Sequence, residues 1–186
     1  MFKSFFGCGV ELSSVIDLAR RKNEPKTHLE FFQQHSFHTF VWPEAWRNVI
    51  PKAPLDWTEV DFEEASRDSI PKLKGVYAFK IFVRDTVMPQ HGVIVYFGQT
   101  GAGSSGTLRT RFGQYLRDKK KTPKRPLFAQ LFELWGDDLV FCYAPTPWTK
   151  DEILSIESAL NDAVVPWCVT NDFSAEVRAG VKVLRS

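Results

Sequence analysis

Arg111 lies on a predicted helix face that is otherwise apolar. In "TLRTRFGQYL", Leu108, Phe112 and Tyr115 recur at the spacing of one inward-facing side of a helix. Arg111 shares that side and precedes Tyr115 by four residues, so the two side chains can touch. A guanidinium suits contact with a phosphate, because its planar fork presents several donors and never loses its charge.

Glu157 breaks the pattern of a second predicted helix in the same way. In "EILSIESALNDAVV" it interrupts an apolar stripe made by Ile153, Ile156, Leu160 and Val164. A carboxylate near a core is costly unless a cation or strong hydrogen bonds compensate for the lost hydration. A single carboxylate, completed by waters and substrate oxygens, suits Mg²⁺, which keeps much of its hydration shell.

Two interpretations of this pair of charges stay open. The first is a buried Arg111–Glu157 ion pair that holds two helices together. The second is a cleft in which Glu157 binds a divalent cation while Arg111 faces a phosphate. Helical spacing alone does not decide between them.

Basic residues are concentrated in "RTRFGQYLRDKKKTPKR", residues 109–125, where eight of them face one acidic residue, Asp118. Residues 1–70 carry a net charge of −3 and residues 71–186 carry +5. The local excess favours binding of a polyanion such as nucleic acid, although a solvated lysine-rich loop gives the same pattern. The candidate substrate-binding residues here are Arg109, Arg117, Lys119, Lys120, Lys121, Lys124 and Arg125.

Two strand-like segments each carry a tyrosine beside a glycine. Tyr77 follows "GV" in "KGVYAFKIFV", and Tyr96 precedes "FG" in "VIVYFGQT". On the strand pattern alone, cross-strand aromatic packing accounts for both tyrosines. The other interpretation is that they form one wall of an active site.

The elements that must position these residues follow one another in a clear order. "GVYAFKIFV" and "GVIVYFG" predict strands, and residues 107–118 predict a helix. A helix over "LFAQLFELW" and a strand over "LVFCYA" follow, and Thr149 and Glu152 have capping-box spacing at the start of a last helix. The order β-β-α-α-β-α is typical of an α+β or three-layer domain.

The first 70 residues are predicted to be a mostly helical appendage. "VELSSVIDLARRK", "WPEAWRNVIP" and "DFEEASRDSIP" each favour a helix, with prolines ending the second and third. We expect this appendage, residues 1–70, to pack against a second domain formed by residues 71–186. Its sequence indicates no chemistry.

The composition excludes several classes of protein. A content of 44% hydrophobic and 14% aromatic residues argues against disorder. No apolar run approaches the roughly 20 residues of a membrane span, and we expect no signal peptide because Glu11 interrupts the apolar region of "MFKSFFGCGVELSS". Cys8, Cys142 and Cys168 are too far apart in sequence for a typical zinc motif. We expect reduced thiols, a cytoplasmic location and no membrane partner.

Taken in order, these features resemble the GIY-YIG nuclease superfamily. The segments around Tyr77 and Tyr96 match its two naming signatures, with Val76 and Phe97 at the central positions. The resemblance spans about residues 71–172, and its remaining parts are Gln99-Thr100, Leu108-x-x-Arg111, Tyr115, Glu157, Pro166 and Asn171.

The resemblance implies a small central antiparallel sheet flanked by helices, and metal-dependent hydrolysis of phosphodiesters. It makes Arg111 the catalytic arginine and Glu157 the ligand of one Mg²⁺ or Mn²⁺ ion. By the same resemblance Tyr77 would activate or position water, while Tyr96 and Tyr115 would orient water or phosphate.

Two further positions bear on this resemblance. Asn171 corresponds to an asparagine near the end of many members and joins the substrate-binding candidates. Tyr115 stands where many members have histidine, so the resemblance leaves the general base open.

We therefore predict a metal-dependent endonuclease that hydrolyses DNA, in restriction, phage defence, repair or mobile-element biology. Two alternatives remain: a nucleic-acid-binding module without catalysis, and a nuclease directed at RNA. The full set of tyrosines, arginine and glutamate argues against the first, because binding alone needs no carboxylate beside a phosphate. One active site cuts one strand, so a double-strand break would require a homodimer or two successive nicks.

Overall fold

The structure, a computed structural model, describes residues 39–49, 54–84, 89–103, 105–121, 125–169 and 172–184. The predicted helix at residues 10–22 and two predicted site residues, Lys124 and Asn171, lie outside these ranges. Within them, no helix has the length and apolar character to cross a membrane.

The described elements follow the predicted order from residue 74 onward. Along the chain they are β1 (Phe40–Val41), α1 (Pro43–Asn48), β2 (Thr58–Asp61), a 3₁₀ helix (Glu64–Ser69), β3 (Gly75–Val83), β4 (His91–Thr100), α2 (Leu108–Lys119), α3 (Pro126–Trp135), β5 (Leu139–Pro145), α4 (Lys150–Ala163), β6 (Val164–Val165) and α5 (Ala175–Leu184).

A four-stranded antiparallel sheet lies at the centre of the fold, with spatial order β2-β5-β3-β4. β3 runs between β4 and β5 and has little exposure on either face, which explains its nearly continuous apolar sequence. β4 forms one edge of the sheet. The predicted α+β class, with an antiparallel sheet flanked by helices, is confirmed.

The helices that carry the charged residues begin at side-chain caps. Thr107 accepts a hydrogen bond from the Thr110 N–H at the start of α2. At the start of α4 the predicted capping box is confirmed, because the Thr149 N–H donates to Glu152 Oε2 at 2.8 Å and the Glu152 N–H donates back to Thr149 Oγ1. These caps fix the first turn of each helix, and therefore the faces that Arg111 and Glu157 occupy.

The strand β2 is not predicted by the sequence. Its four residues are mostly exposed and lack an alternating apolar pattern, so the sequence carries no strand signal. The strand pairs antiparallel with β5, from Thr58 opposite Tyr143 to Asp61 opposite Val140. This part of the predicted helical appendage therefore belongs to the central sheet.

Each face of the sheet is covered by different helices, because successive strand residues point to opposite sides. Tyr77, Phe79 and Phe141 point to the side covered by α2 and α3, where they contact aromatic rings of those helices. Ala78, Phe97 and Cys142 point to the other side and pack against α4. Arg111 on α2 and Glu157 on α4 thus belong to helices on opposite faces.

Gly75, at the start of β3, has no room for a side chain. A Cβ there would collide with the carbonyl oxygen of Ala144 and lie 2.9 Å from Cα of Pro145, both in the backbone of β5. Gly75→Ala is therefore expected to destabilise the protein by about 3 kcal/mol, because two paired strands must separate locally. Urea unfolding measures this change.

Gly180 in α5 provides the matched control. A Cβ at Gly180 meets nothing within 4 Å. Gly180→Ala is expected to stabilise the protein by about 0.5 to 1 kcal/mol, because alanine favours a helix over glycine. Equal effects of the two substitutions would contradict the close approach of β3 and β5.

Candidate active site

Three tyrosines from three elements form one aromatic cluster. Tyr77 on β3, Tyr96 on β4 and Tyr115 on α2 have ring centroids 6.0 to 6.3 Å apart. The hydroxyls of Tyr77 and Tyr115 lie 3.1 Å apart and form a hydrogen bond. All three rings are buried, so the cluster is held in one arrangement by the packed core around it.

Burial decides the protonation state of these phenols. It raises the pKa of Tyr77 well above its ordinary value, and the neighbouring Tyr115 and Tyr96 raise it further, while Arg111 opposes the shift. Burial likewise raises the pKa of Tyr96. Both side chains are therefore neutral hydroxyl groups near neutral pH, which can donate hydrogen bonds but are poor bases.

Arg111 interacts with both halves of the predicted site. Its charge opposes the upward pKa shift of Tyr77 and also that of Glu157. Its Nη1 donates to Gln114 Oε1 at 2.9 Å. Arg111 and Glu157 are both described, and no ion pair joins them. The first interpretation of the sequence, a direct Arg111–Glu157 ion pair, is therefore wrong for this structure.

Glu157 lies beside the free edge of β4. There the Gln99 N–H donates a hydrogen bond to its carboxylate, and the Val95 carbonyl accepts one from the Cys168 N–H at 2.8 Å. An edge strand leaves such backbone groups unpaired, so they are available to partners outside the sheet. The sequence placed Glu157 within an apolar stripe, and the structure leaves it half-buried on α4, beside the backbone of Gln99 in β4.

The Glu157 carboxylate is poorly compensated in the protein alone. Burial, and after it the nearby Asp172, raises the pKa of Glu157 from 4.5 to about 7, against the lowering effects of Arg111 and the Gln99 N–H. The charged form thus lacks a strong partner near neutral pH. A divalent cation would supply one.

Asp172 is an acidic residue near Glu157 that no sequence pattern singles out. It directly follows the predicted Asn171, and it comes close enough to Glu157 to raise that residue's pKa. One or two carboxylates completed by waters and phosphate oxygens are a common Mg²⁺ environment, so these residues fit the implied ion. In the described ranges no group of three or more His, Cys, Asp or Glu side chains could hold a metal.

The predicted basic surface divides into occupied and free side chains. Arg109 donates to the carbonyls of Ile70 and Asp68, Lys119 donates to the carbonyl of Gly136, and Lys120 pairs with Glu64. These three tie α2 to neighbouring segments.

Arg117 and Lys121 are exposed, and neither has an ion pair or side-chain hydrogen bond within the described part of the chain. They are the basic residues at the end of α2 that remain available for a phosphate backbone.

Arg125 lies in a different environment from the other basic residues. Its guanidinium carbon is 4.3 Å from the ring centroid of Phe128 and 5.8 Å from that of Tyr115, and its Nη2 donates to the Tyr115 hydroxyl at 3.3 Å. The sequence placed Arg125 in a phosphate-binding surface, and the structure brings it to the tyrosine cluster. The sequence signal for this placement is that Arg125 directly precedes Pro126 and the apolar helix α3.

Comparisons of this chain with protein-family models, with curated proteins and with solved structures find no match.

Proposed function

We propose that this protein is a divalent-metal-dependent endonuclease that hydrolyses phosphodiester bonds in DNA, with a site of the GIY-YIG kind. The observation that carries the proposal is that the charge of Arg111 acts both on Tyr77 of the tyrosine cluster and on Glu157, lowering the pKa of each. A cation that acts on both hydroxyl donors and a poorly compensated carboxylate suits in-line attack on a phosphodiester.

The chain's own residues would divide the work as follows. Arg111 would offset the charge that develops on the phosphate oxygens in the transition state. Tyr77, as a neutral phenol held by Tyr115, would orient the attacking water or a phosphate oxygen. Tyr96, whose ring packs near those of Tyr77 and Tyr115, would help to orient water or phosphate.

Glu157 and Asp172 would hold a single Mg²⁺ or Mn²⁺ ion. When bound, the ion would supply Lewis-acid stabilisation of the leaving oxygen. The high pKa of Glu157 in the metal-free protein means that cation binding and loss of a proton are coupled at this carboxyl.

The proposal is tested on a panel of substrates. Plasmid DNA, linear duplex, single-stranded DNA and RNA are incubated with the protein in Mg²⁺ or Mn²⁺, with EDTA as the metal-free control. Glu157→Gln protein purified in parallel reports any contaminating nuclease. Metal-dependent cleavage of DNA supports the proposal. Cleavage of RNA alone makes the substrate RNA, and binding without cleavage of any substrate leaves a nucleic-acid-binding module.

The free cations at the end of α2 give a prediction for binding. Arg117→Ala combined with Lys121→Ala is expected to weaken DNA affinity and to lower the slope of log affinity against log salt by about 2, roughly one for each lost phosphate contact. Fluorescence anisotropy with a labelled duplex at several salt concentrations measures both.

A control variant removes the same number of charges elsewhere. Lys150→Ala combined with Lys182→Ala takes two exposed lysines from α4 and α5. It is expected to leave the salt slope unchanged. A similar drop in both double variants would mean that net charge, not the surface at the end of α2, governs binding.

A further inference from the structure

Arg125 is fixed by its backbone as well as by its side chain. It is the N-cap residue of α3, and its carbonyl accepts hydrogen bonds from the N–H groups of Phe128 and Ala129, both at 3.1 Å. The guanidinium stacks over Phe128 and also lies 5.7 Å from the ring centroid of Tyr96. A cation held in this way differs from a solvated side chain that tracks a phosphate backbone.

The contact between Arg125 and Tyr115 has a consequence for the proton on each hydroxyl. A guanidinium only donates hydrogen bonds, so the Tyr115 oxygen must accept the bond from Nη2. Tyr115 is buried, and its own proton needs an acceptor. Among the described residues the Tyr77 oxygen meets hydrogen-bond geometry with it, at 3.1 Å, while Tyr96 is a second hydroxyl that interacts with both Tyr115 and Arg125 and is the competing acceptor.

We infer that Arg125 is a positioning residue that sets the direction of the hydrogen-bond chain Arg125–Tyr115–Tyr77, so that Tyr77 acts as a hydrogen-bond donor toward the substrate. With the Tyr77 oxygen accepting from Tyr115, the Tyr77 proton is left to donate to a phosphate oxygen or to water. A cation at one end of such a chain polarises each following hydroxyl and strengthens its donation. The general base must then be a group other than Tyr77.

Donation by Tyr77 to the substrate rests on the proposed nuclease function, but the direction of the hydrogen-bond chain does not. The two parts are therefore tested by different measurements. Tyrosines labelled with ¹³C at Cζ are observed by NMR in equal parts H₂O and D₂O, where a slowly exchanging hydroxyl splits the Cζ signal. Signals are assigned with tyrosine-to-phenylalanine variants.

Arg125→Met is expected to change the Cζ signal of Tyr115, which Arg125 contacts, and also that of Tyr77, which accepts from Tyr115. Arg84→Met is the matched control, because Arg84 also lies over an aromatic ring, 5.3 Å from the centroid of Phe82, on the far side of β3 from the cluster. An unchanged Tyr77 signal in Arg125→Met overturns the inference.

Kinetics provide the second measurement. Arg125→Met is expected to lower kcat about 10- to 100-fold with little change in KM, the usual cost of removing an outer partner of a site. Arg125→Lys, which keeps the charge, is expected to restore part of the rate. In a Tyr115→Phe background, Arg125→Met is expected to add little, because both residues act through one chain.

Two kinetic outcomes overturn the inference: a higher KM with unchanged kcat, which is the behaviour of a phosphate contact, or fully additive effects of Arg125→Met and Tyr115→Phe. If the wild-type protein cleaves no nucleic acid, the proposed function fails, and the NMR measurement still decides the direction of the hydrogen-bond chain.

Discussion

Glu157→Gln is expected to reduce DNA cleavage about a thousandfold, the scale of removing a principal electrostatic group from an active site. The amide keeps the size of the carboxyl and can still accept the Gln99 N–H, so the local backbone need not move. It loses the charge that would hold a divalent cation. The loss is expected in both Mg²⁺ and Mn²⁺, and single-turnover cleavage of a labelled duplex measures it.

The same substitution is expected to stabilise the metal-free protein at alkaline pH. Burial raises the pKa of Glu157 from 4.5 to about 7, so the folded state binds this proton more tightly than the unfolded chain does. The stabilisation that this tighter proton binding gives the folded wild-type protein is fully present below about pH 4.5. It is lost as the pH rises through about 7. Glutamine stays neutral throughout, so Glu157→Gln should gain about 2 kcal/mol over wild type between pH 5 and pH 8.

Urea unfolding in EDTA at the two pH values checks this gain. Glu133→Gln is the control for charge, because Glu133 is an exposed residue of α3 and the substitution removes the same carboxylate chemistry. It is expected to leave cleavage unchanged. Loss of activity without the pH-dependent gain in stability would mean that Glu157 is already compensated in the folded protein. A gain in stability with full activity would remove Glu157 from the catalytic site.

The opposite expected effects of Glu157→Gln on cleavage and on stability reflect how an active site differs from a core. A buried carboxylate without a partner opposes folding, and replacing it by a neutral group of the same shape is commonly neutral or favourable. A residue that costs stability in the free protein and is required for activity is one whose partner arrives with the substrate or the metal. Glu157 is expected to show both properties.

The order of helices and strands from residue 74 onward could be predicted because it depends on local sequence patterns. The two apolar strands, the capping box at Thr149 and the helix over "LFAQLFELW" each depend on neighbouring residues, and the structure has them where the sequence indicates. Arg111 and Glu157 stood out for the same reason, because each contradicts the apolar pattern of its own helix.

The missed features all depend on contacts that are distant in sequence. β2 is exposed and is defined by its pairing with β5, more than 70 residues further along the chain. Asp172 meets Glu157, and Arg125 meets Tyr96, only after the chain has folded. A run of basic residues likewise gives no sign of which cations the fold itself occupies. The sequence shows where basic residues are concentrated. It does not show which of them bond to the fold, as Arg109 does, and which stay exposed, as Arg117 does.

Gly98→Ala is expected to lower cleavage about a hundredfold, because an active-site group displaced by about 1 Å loses activity on that scale. A Cβ at Gly98 would lie 2.6 Å from both Cζ and the hydroxyl oxygen of Tyr77 and 2.8 Å from Cε1 of Tyr96. The Tyr77 ring cannot easily give way, since it is buried and stacks on Phe141 with centroids 5.3 Å apart. The glycine of the second tyrosine segment therefore provides the space that the tyrosine of the first segment fills.

Gly103→Ala is the matched control for Gly98→Ala, because a Cβ at Gly103 meets nothing within 4 Å. The stability cost of Gly98→Ala should be about 1 to 3 kcal/mol, as for other overpacked sites, and the protein should remain folded at 25 °C. In a Tyr77→Phe background, where the hydroxyl is already absent, adding Gly98→Ala should lower kcat much less than it does in wild type. Equal effects in the two backgrounds would mean that Gly98 shapes the fold and not the position of the Tyr77 hydroxyl. A dependence on Tyr77 would instead make the paired glycine and tyrosine a single catalytic feature, built across two neighbouring strands.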